Sequence, residues 1–330
     1  MRAALAEARR GVGKTSPNPA VGAVIVRGGR IIARGWHHGV GLPHAEIEAL
    51  AKTKAAGGAT LYVTLEPCST HGRTPPCTDA IIRTNLIRVV IGAADPNPSH
   101  AGRGFRLLEA AGIEVTTGVL AEECAALNRP FNHWITTGLP WVIAKAGMSL
   151  DGRLTRPPGE GQWLTSAAAR RHALKLRASV DAILVGAETV RTDNPRLTVR
   201  GVRGARQPWR VVLTRSGKLP SEAHLFTDEH QERTLVFKGK TLRAVLRELG
   251  QRQITSVLIE GGGEVLGQAF DQTLVNEARF YVAPLLSGGP KMVIGGNGVS
   301  AIEAAPFLKN PSYEKVGGDL CLSGEVTFPI

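Results

Sequence analysis

The stretch "TLEPCSTHGRTPPC", Thr64 to Cys77, places two of the chain's four cysteines nine positions apart, each directly after a proline. Between them lie Ser69, Thr70, His71, Gly72, Arg73 and Thr74, which are polar and turn-prone. Two thiols on a stiff, wet loop point to metal binding or catalysis if the surroundings are reducing. The chain has no apolar run near the roughly 18 residues of a membrane span, and its N-terminus lacks an apolar signal segment. A reducing cytoplasm is therefore the expected setting, with no membrane partner. Cys124 and Cys321 stand apart and read as small core residues.

The rest of the constellation lies upstream. "PHAEIEAL" offers His44 and Glu46, an H-x-E at the start of a predicted helix. With Cys68 and Cys77 this makes one imidazole and two thiolates, one protein ligand short of a closed tetrahedral zinc, as a catalytic zinc requires. The open position takes water, whose pKa the metal lowers to about 7. Glu46, two residues from the ligand, is placed to shuttle protons without coordinating. His, Glu and two cysteines in this order form the pattern of zinc deaminases, although eight residues separate the cysteines here instead of the usual two. A closed, structural zinc with His71 as fourth ligand is the competing reading.

A length of 330 residues suggests two domains. "RAALAEARRG" predicts a helix, and "AVGAVIV" and "RIIARGW" flank Gly28-Gly29 as a hairpin. "HAEIEALAKT", "ATLYVTLEP", "TDAIIRTN", "RVVIGAAD", "GFRLLEAAG", "IEVTTGV" and "AEECAALN" then alternate helix and strand. That alternation implies a layered α/β domain. "NRPFNHWITTGLP", Asn128 to Pro140, reads as the junction, with the boundary at residue 138. Beyond it, "WVIAKAGMSLDGRL", "DAILVG", "WRVVLTR", "RTLVF" and "ITSVLIE" read as strands. "SAAARRHALKLRASV" and "TLRAVLRELG" read as helices, and Gly261-Gly262-Gly263 opens another.

The formal net charge of +12 raises nucleic acid as a partner. Residues 1–138 hold 15 Lys and Arg against 10 Asp and Glu, and the remainder holds 25 against 18. The excess is even, without a basic tail, so the footprint of a duplex binder is missing. An attraction for anionic small molecules fits better.

In the second half the glycine-rich turn "IEGGGEVLG" could cradle a phosphate at a helix N-terminus, or be only a tight turn. "GAETVRTDNPRLTVR" sets Thr189, Asp193, Arg196 and Arg200 after a strand, where the arginines could pair with a phosphate or be solvated.

With these residues in hand, "TSPNPAVGAVIV", "PHAEIEAL", "TLEPCSTHGRTPPC" and "DPNPSHAGRG" resemble the deaminase signatures of the bifunctional riboflavin-biosynthesis deaminase/reductase family, RibD or RibG. "AKAGMSLDGR", "GQWLTS", "VGAETVRTDNPRLTVR" and "IEGGGEVLG" resemble its reductase signatures, so the likeness spans nearly the whole chain in the family's order. It implies a three-layer, cytidine-deaminase-like α/β domain over residues 1–138 and a dihydrofolate-reductase-like α/β domain over 139–330. The implied reactions remove an amino group from a diaminopyrimidinone bearing a ribosylamino 5-phosphate, then reduce the ribosyl group to ribityl with NADPH.

By the same resemblance His44, Cys68 and Cys77 bind Zn2+ and Glu46 moves protons. Asn18, His37, His71, Arg73, Asp95 and Asn97 match positions around the deaminase substrate. Gly147, Trp163, Thr189, Asp193 and the run Gly262, Gly263, Glu264, Val265, Leu266, Gly267 and Gln268 match NADPH positions. Arg177, Leu197, Arg200, Glu260 and Gly161 match positions for the phosphorylated substrate, and Lys145 and Glu260 are candidates for polarising or protonating groups. Two departures stand out: Thr70 and Gly161, where the family commonly has histidine and serine. A deaminase of RNA or free nucleosides with a non-catalytic second domain, and a non-enzymatic zinc protein, are the rival readings. Oligomeric state is left open, a homo-oligomer included.

Overall fold

The structure is a computed structural model that describes residues 1–53, 56–71, 74–98, 100–154 and 163–329. Arg73 and Gly161 lie outside the described residues. The chain divides into two compact units, Met1–Gly138 and Leu139–Ile330.

In the first unit α1 (Arg2–Arg9) precedes a hairpin of β1 (Gly22–Arg27) and β2 (Arg30–Trp36). Gly28 and Gly29 both adopt positive φ (55° and 74°), the backbone a two-residue turn of this kind requires. The chain continues through α2 (Ala45–Ala51), β3 (Thr60–Leu65), α3 (Cys77–Ile82), β4 (Arg88–Ala93), α4 (Arg103–Ala110), β5 (Glu114–Thr116), α5 (Ala121–Leu127) and α6 (Arg129–Thr137). The sheet order is β2-β1-β3-β4-β5, with β3, β4 and β5 parallel and the hairpin antiparallel.

Alternation along the strands sends side chains to two faces. Ala23, Ile25, Leu61, Val63, Val89 and Ile91 pack with Ala45 and Ala49 of α2, Ile81 of α3 and Leu108 of α4. α1 and α5 cover the opposite face. Both layers come unusually close to the sheet. A Cβ on Gly22 would lie 2.1 Å from the Ala4 carbonyl oxygen of α1, and one on Gly35 2.2 Å from the Ala45 carbonyl oxygen of α2. The second contact sets the start of α2, and therefore His44 and Glu46, against the sheet.

The second unit contains β6 (Trp141–Ser149), α7 (Ala167–Arg177), β7 (Ala182–Gly186), α8 (Ala187–Asp193), β8 (Trp209–Thr214), α9 (His224–Thr227) and β9 (Thr234–Lys238). α10 (Leu242–Gln251), β10 (Ser256–Ile259), α11 (Gly263–Asp271), β11 (Glu277–Ala283), β12 (Phe307–Val316) and β13 (Asp319–Thr327) complete it. Its sheet order is β12-β13-β11-β6-β10-β7-β8-β9. The strands from β11 through β9 are parallel to one another, and β13 and β12 join antiparallel. Strands such as "AILVG" are buried on both faces, as helix-covered parallel strands must be. One face packs on α10 and α11, and the other on α7, α8 and α9.

The structure departs from the sequence reading in several elements, the unread helices α8 and α9 among them. The stretch read as a junction is mostly the helix α6, begun by a proline in its first turn and ended by Gly138 at φ 73°. The strand read in "IEVTTGV" keeps only Glu114–Thr116. β11, β12 and β13 went unread; β12 is an exposed edge strand whose register shifts between Lys309 and Ser312, around Pro311.

Arg210 of β8 is the largest fully buried side chain among the described residues. Its guanidinium donates to Asp228 Oδ2 (2.7 Å), Thr234 Oγ1 (3.1 Å) and the carbonyls of Leu225 (2.9 Å) and Arg196 (3.3 Å). It thus joins β8, α9, β9 and the loop leading to Leu197. Arg210→Met leaves these acceptors without their donor. It should destabilise the second unit by about 3 kcal/mol, measured by denaturant unfolding, while zinc binding by the first unit is retained.

Candidate active sites

In the first unit His44 is the N-cap of α2 and presents Nδ1 to two sulfurs. Cys68 follows β3, and Cys77 is the first residue of α3, after Pro76 at its N-cap. Cys68 Sγ and Cys77 Sγ lie 3.5 and 3.3 Å from His44 Nδ1, and the three atoms are all within 4.8 Å of one another. The edges of a tetrahedral site built with zinc–sulfur and zinc–nitrogen bonds of the usual lengths are about 3.5 Å. Both sulfur–nitrogen distances, and the chemistry of the donors, therefore fit a zinc ion. Among the described residues no other His, Cys, Asp or Glu completes this cluster, and His71 is exposed and outside it.

The three groups share protons. The hydrogen bond with Cys77 brings the Cys68 thiol down to about 4, and Cys68 in turn raises Cys77 and His44. Glu46, one residue into α2, is 3% exposed. Burial lifts its carboxyl to about 7, against the pull of the nearby His44.

His37 and Asn18 form a directed chain. His37 Nδ1 is 3.1 Å from the Pro43 carbonyl oxygen, which can only accept, and burial lowers the ring's pKa, so the neutral ring carries its proton there. Nε2 then accepts from Asn18 Nδ2 at 3.0 Å, which fixes the orientation of the Asn18 amide. The His37 ring also meets the His44 ring edge-on, with centroids 5.1 Å apart.

Asp95 and Asn97 follow β4. The Asn97 N–H donates to Asp95 Oδ1 (2.9 Å), and burial raises the Asp95 pKa. Thr70, the departure from the family pattern, faces His100, with Oγ1 3.4 Å from Nδ1. Glu66, which the sequence reading passed over, directly follows β3, two residues before Cys68, and is 6% exposed. Its signal is its position alone: a carboxylate directly after a strand whose last three residues are buried.

The second unit has a cavity of about 1370 Å3 at the carboxyl ends of β6, β7 and β10, where open α/β sheets bind ligands. A side hollow of about 480 Å3 shares Lys145, Glu260 and Arg177 with it. Gly147, Trp163, Thr189, Asp193 and Arg200 all reach the main cavity. Leu197, with its left-handed φ of 50°, lines the side hollow together with Arg196 and His224. Arg170, absent from the sequence reading, stands over the Trp163 ring at 5.2 Å.

The glycine run divides. Gly262 is the N-cap of α11 with open space at its Cβ position, and Gly263 and Glu264 also border the cavity. Val265 and Leu266 belong to the core, and Gly267 packs against Gly295 and Gly296. Gln268 is half-buried and off the cavity wall. A Cβ on Gly263 would meet the Met292 carbonyl oxygen at 2.2 Å. Gly263 and Gly267 thus serve close packing, whereas Gly262 has free space at its Cβ position.

Glu260 sits directly after β10 and is held by two cations. Arg177 grips it with two bonds of 2.6 and 2.9 Å, and Lys145 Nζ is 3.3 Å away. Burial pushes the Glu260 pKa up, but Lys145 and Arg177 outweigh it and hold the carboxyl at about 2.

Residues 1–93 match the cytidine and deoxycytidylate deaminase zinc-binding region, and residues 140–322 match the RibD C-terminal domain. The chain is 41% identical to riboflavin biosynthesis protein RibD of Actinobacillus pleuropneumoniae, covering 100% of this chain and 95% of that one. It is 39% identical to RibD of Escherichia coli K12, covering 98% and 97%. The solved structure of Acinetobacter baumannii RibD superposes with a TM-score of 0.91 at 35% identity, covering 99% and 97%. A diaminohydroxyphosphoribosylaminopyrimidine deaminase/5-amino-6-(5-phosphoribosylamino)uracil reductase from Thermotoga maritima does so at 0.89 and 36%, with the same coverage. No described helix is long and apolar enough to cross a membrane. Three clustered ligand atoms in one unit, a lined cavity in the other and these full-length likenesses have one reading: the chain belongs to the RibD family and is a bifunctional deaminase/reductase of riboflavin biosynthesis, with a zinc-binding deaminase domain and a reductase domain.

Proposed function

We propose that the first unit deaminates diaminohydroxyphosphoribosylaminopyrimidine by hydrolysis and that the second reduces the ribosyl group of 5-amino-6-(5-phosphoribosylamino)uracil to ribityl with NADPH. The observation that carries the first half is the trio His44, Cys68 and Cys77 with the buried Glu46 beside it. These three side chains would hold zinc, whose Lewis acidity makes water nucleophilic at neutral pH. Glu46, buried two residues from His44, is placed to take the water's two protons in turn, passing the first to the ring and the second to the departing amino group. Asn18, aimed by His37, offers its amide to the pyrimidine, and Asp95 and Asn97 close the other side with His71.

In the second unit the nicotinamide cofactor supplies the hydride, and the protein binds, orients and neutralises charge. The larger cavity is the cofactor's place, with Gly147, Trp163, Thr189, Asp193, Gly262 and Gly263 around it. The side hollow takes the ribose phosphate near Arg200, Leu197 and Arg177. Glu260 acts as an anchor: its ion pairs hold Lys145 and Arg177 in place, and at about 2 its carboxyl has no proton to give at neutral pH. Lys145 is the group that polarises the sugar.

The direct test is mass spectrometry of the purified chain with the diamino substrate. One amino group should be replaced by oxygen without cofactor, and two hydrogens should be gained when NADPH is added, with NADH clearly less efficient. An unchanged mass without cofactor would refute the first half, and no gain of two hydrogens when the deaminated pyrimidine is supplied with NADPH would refute the second.

Glu46→Gln should retain zinc and the reductase activity while losing roughly a hundredfold to ten-thousandfold in deamination, the scale of general acid–base catalysis. Zinc analysis and the two separate assays check this.

Glu260→Gln removes the carboxylate that pairs with both Lys145 and Arg177. Reduction should fall roughly a hundredfold with misplacement of the two cations, and deamination should be unaffected. In the unmodified chain the reductase pH profile should show no ionisation of Glu260 between about pH 5 and 9, because a carboxyl held at about 2 stays charged throughout.

A further inference from the structure

The Glu66 carboxylate is buried in the first unit, yet it touches neither the ligand trio nor the groups assigned to proton transfer. Its partners are three backbone N–H groups. Oε2 accepts from Asp95 (3.1 Å) and Gly102 (3.0 Å), and Oε1 accepts from Gly104 (2.8 Å). Asp95 begins the stretch that presents Asp95 and Asn97. Gly102 is the N-cap of α4 and Gly104 lies in its first turn. One carboxylate at the end of β3 therefore ties together the substrate loop and the amino end of the next helix, two residues from Cys68. The helix end favours a negative charge, and bonds from N–H groups to an ionised acceptor are the stronger kind.

The approach is built into the backbone as well. A Cβ on Gly104 would lie 2.6 Å from the Pro67 carbonyl oxygen and 3.1 Å from Glu66 Cγ. Only glycine lets α4 start this close. Asp95 also uses its own side chain to hold the Asn97 N–H, so the loop's anchorage runs from Glu66 through Asp95 to Asn97.

We infer that Glu66 is a positioning residue of the deaminase: its buried carboxylate, through three backbone N–H bonds, holds Asp95 and Asn97 at the distance from the metal ligands at which they meet the pyrimidine. This rests on the reading of Asp95 and Asn97 as substrate contacts. A residue that only positions contacts made in both ground and transition states alters KM, whereas one that supports the metal or the proton shuttle alters kcat.

The experiment uses the full chain with zinc bound and three variants, Glu66→Gln, Gly104→Ala and Asn97→Ala. In Gln an N–H replaces one carboxylate oxygen and opposes a backbone N–H. In Gly104→Ala the helix start is displaced from an intact Glu66. Both should raise the deamination KM roughly tenfold to a hundredfold, keep kcat within about threefold, retain zinc and leave NADPH-dependent reduction unchanged. Asn97→Ala should raise KM as well. If Asn97→Ala raises KM while Gly104→Ala and a folded Glu66→Gln do not, the positioning role is overturned and the substrate reading survives. If Asn97→Ala leaves KM unchanged, the substrate reading falls and the inference with it. Loss of zinc together with a fall in kcat in Gly104→Ala also overturns it, because Glu66 would then be supporting the metal ligands. Should Glu66→Gln fail to fold, Gly104→Ala decides by the same criteria.

Discussion

A carboxylate taken out of water needs donors or cations for its oxygens. Each unit of this protein meets that demand directly after a central strand. In the first, Glu66 follows β3 and is satisfied by backbone N–H groups; in the second, Glu260 follows β10 and is satisfied by Lys145 and Arg177. Both carboxylates stand where parallel strands end and the connecting segments diverge. The loops there carry the chemistry, and each carboxylate converts a sheet edge of fixed geometry into fixed loop geometry. The two solutions differ in consequence. N–H groups leave a neutral frame around Glu66, whereas two cations on one carboxylate leave a net positive charge beside the reductase cavity.

Much of the deaminase site was legible because its residues are chemically rare. Few sequences place H-x-E before a strand and two proline-led cysteines after it without a metal to hold, and His44, Cys68 and Cys77 converge as that pattern implied. The hairpin at Gly28-Gly29 was legible for a similar reason, since only a few residue pairs accept two positive φ values in succession. Glu66 was not legible. A glutamate after an apolar strand is unremarkable in sequence, and its partners are backbone atoms as many as 38 residues away, which no side-chain pattern records.

The second unit was harder for the same physical reason. Its parallel strands are continuous apolar runs that show where a strand lies and say little about which neighbour it takes. β10 enters between β6 and β7, long before it in sequence, and only the structure brings Glu260 to Lys145 and Arg177. β12 was unread because an edge strand need not be apolar: nearly all of it is exposed, and its proline sits at a break in register. The glycine run shows that composition alone does not identify a phosphate cradle. Gly262 borders open space, but Gly263 and Gly267 are glycines because neighbouring backbone occupies the place of a side chain.

The reductase cavity also explains how an evenly spread charge of +12 can serve small anions. Long-range attraction from a surface excess concentrates an anionic ligand but cannot orient it, since exposed charges are screened within about 10 Å. Orientation needs partly buried cations held in place. Lys145 and Arg177 have side chains 18% and 14% exposed, and they share a single carboxylate, so together with Arg200 they retain positive charge facing the cavity. Deleting Glu260 would increase that charge and free both side chains at once. A ligand phosphate could then bind more tightly and yet lie in the wrong place. For this site the geometry of the cations counts for more than their number, which is why a carboxylate is retained where the ligand itself is an anion.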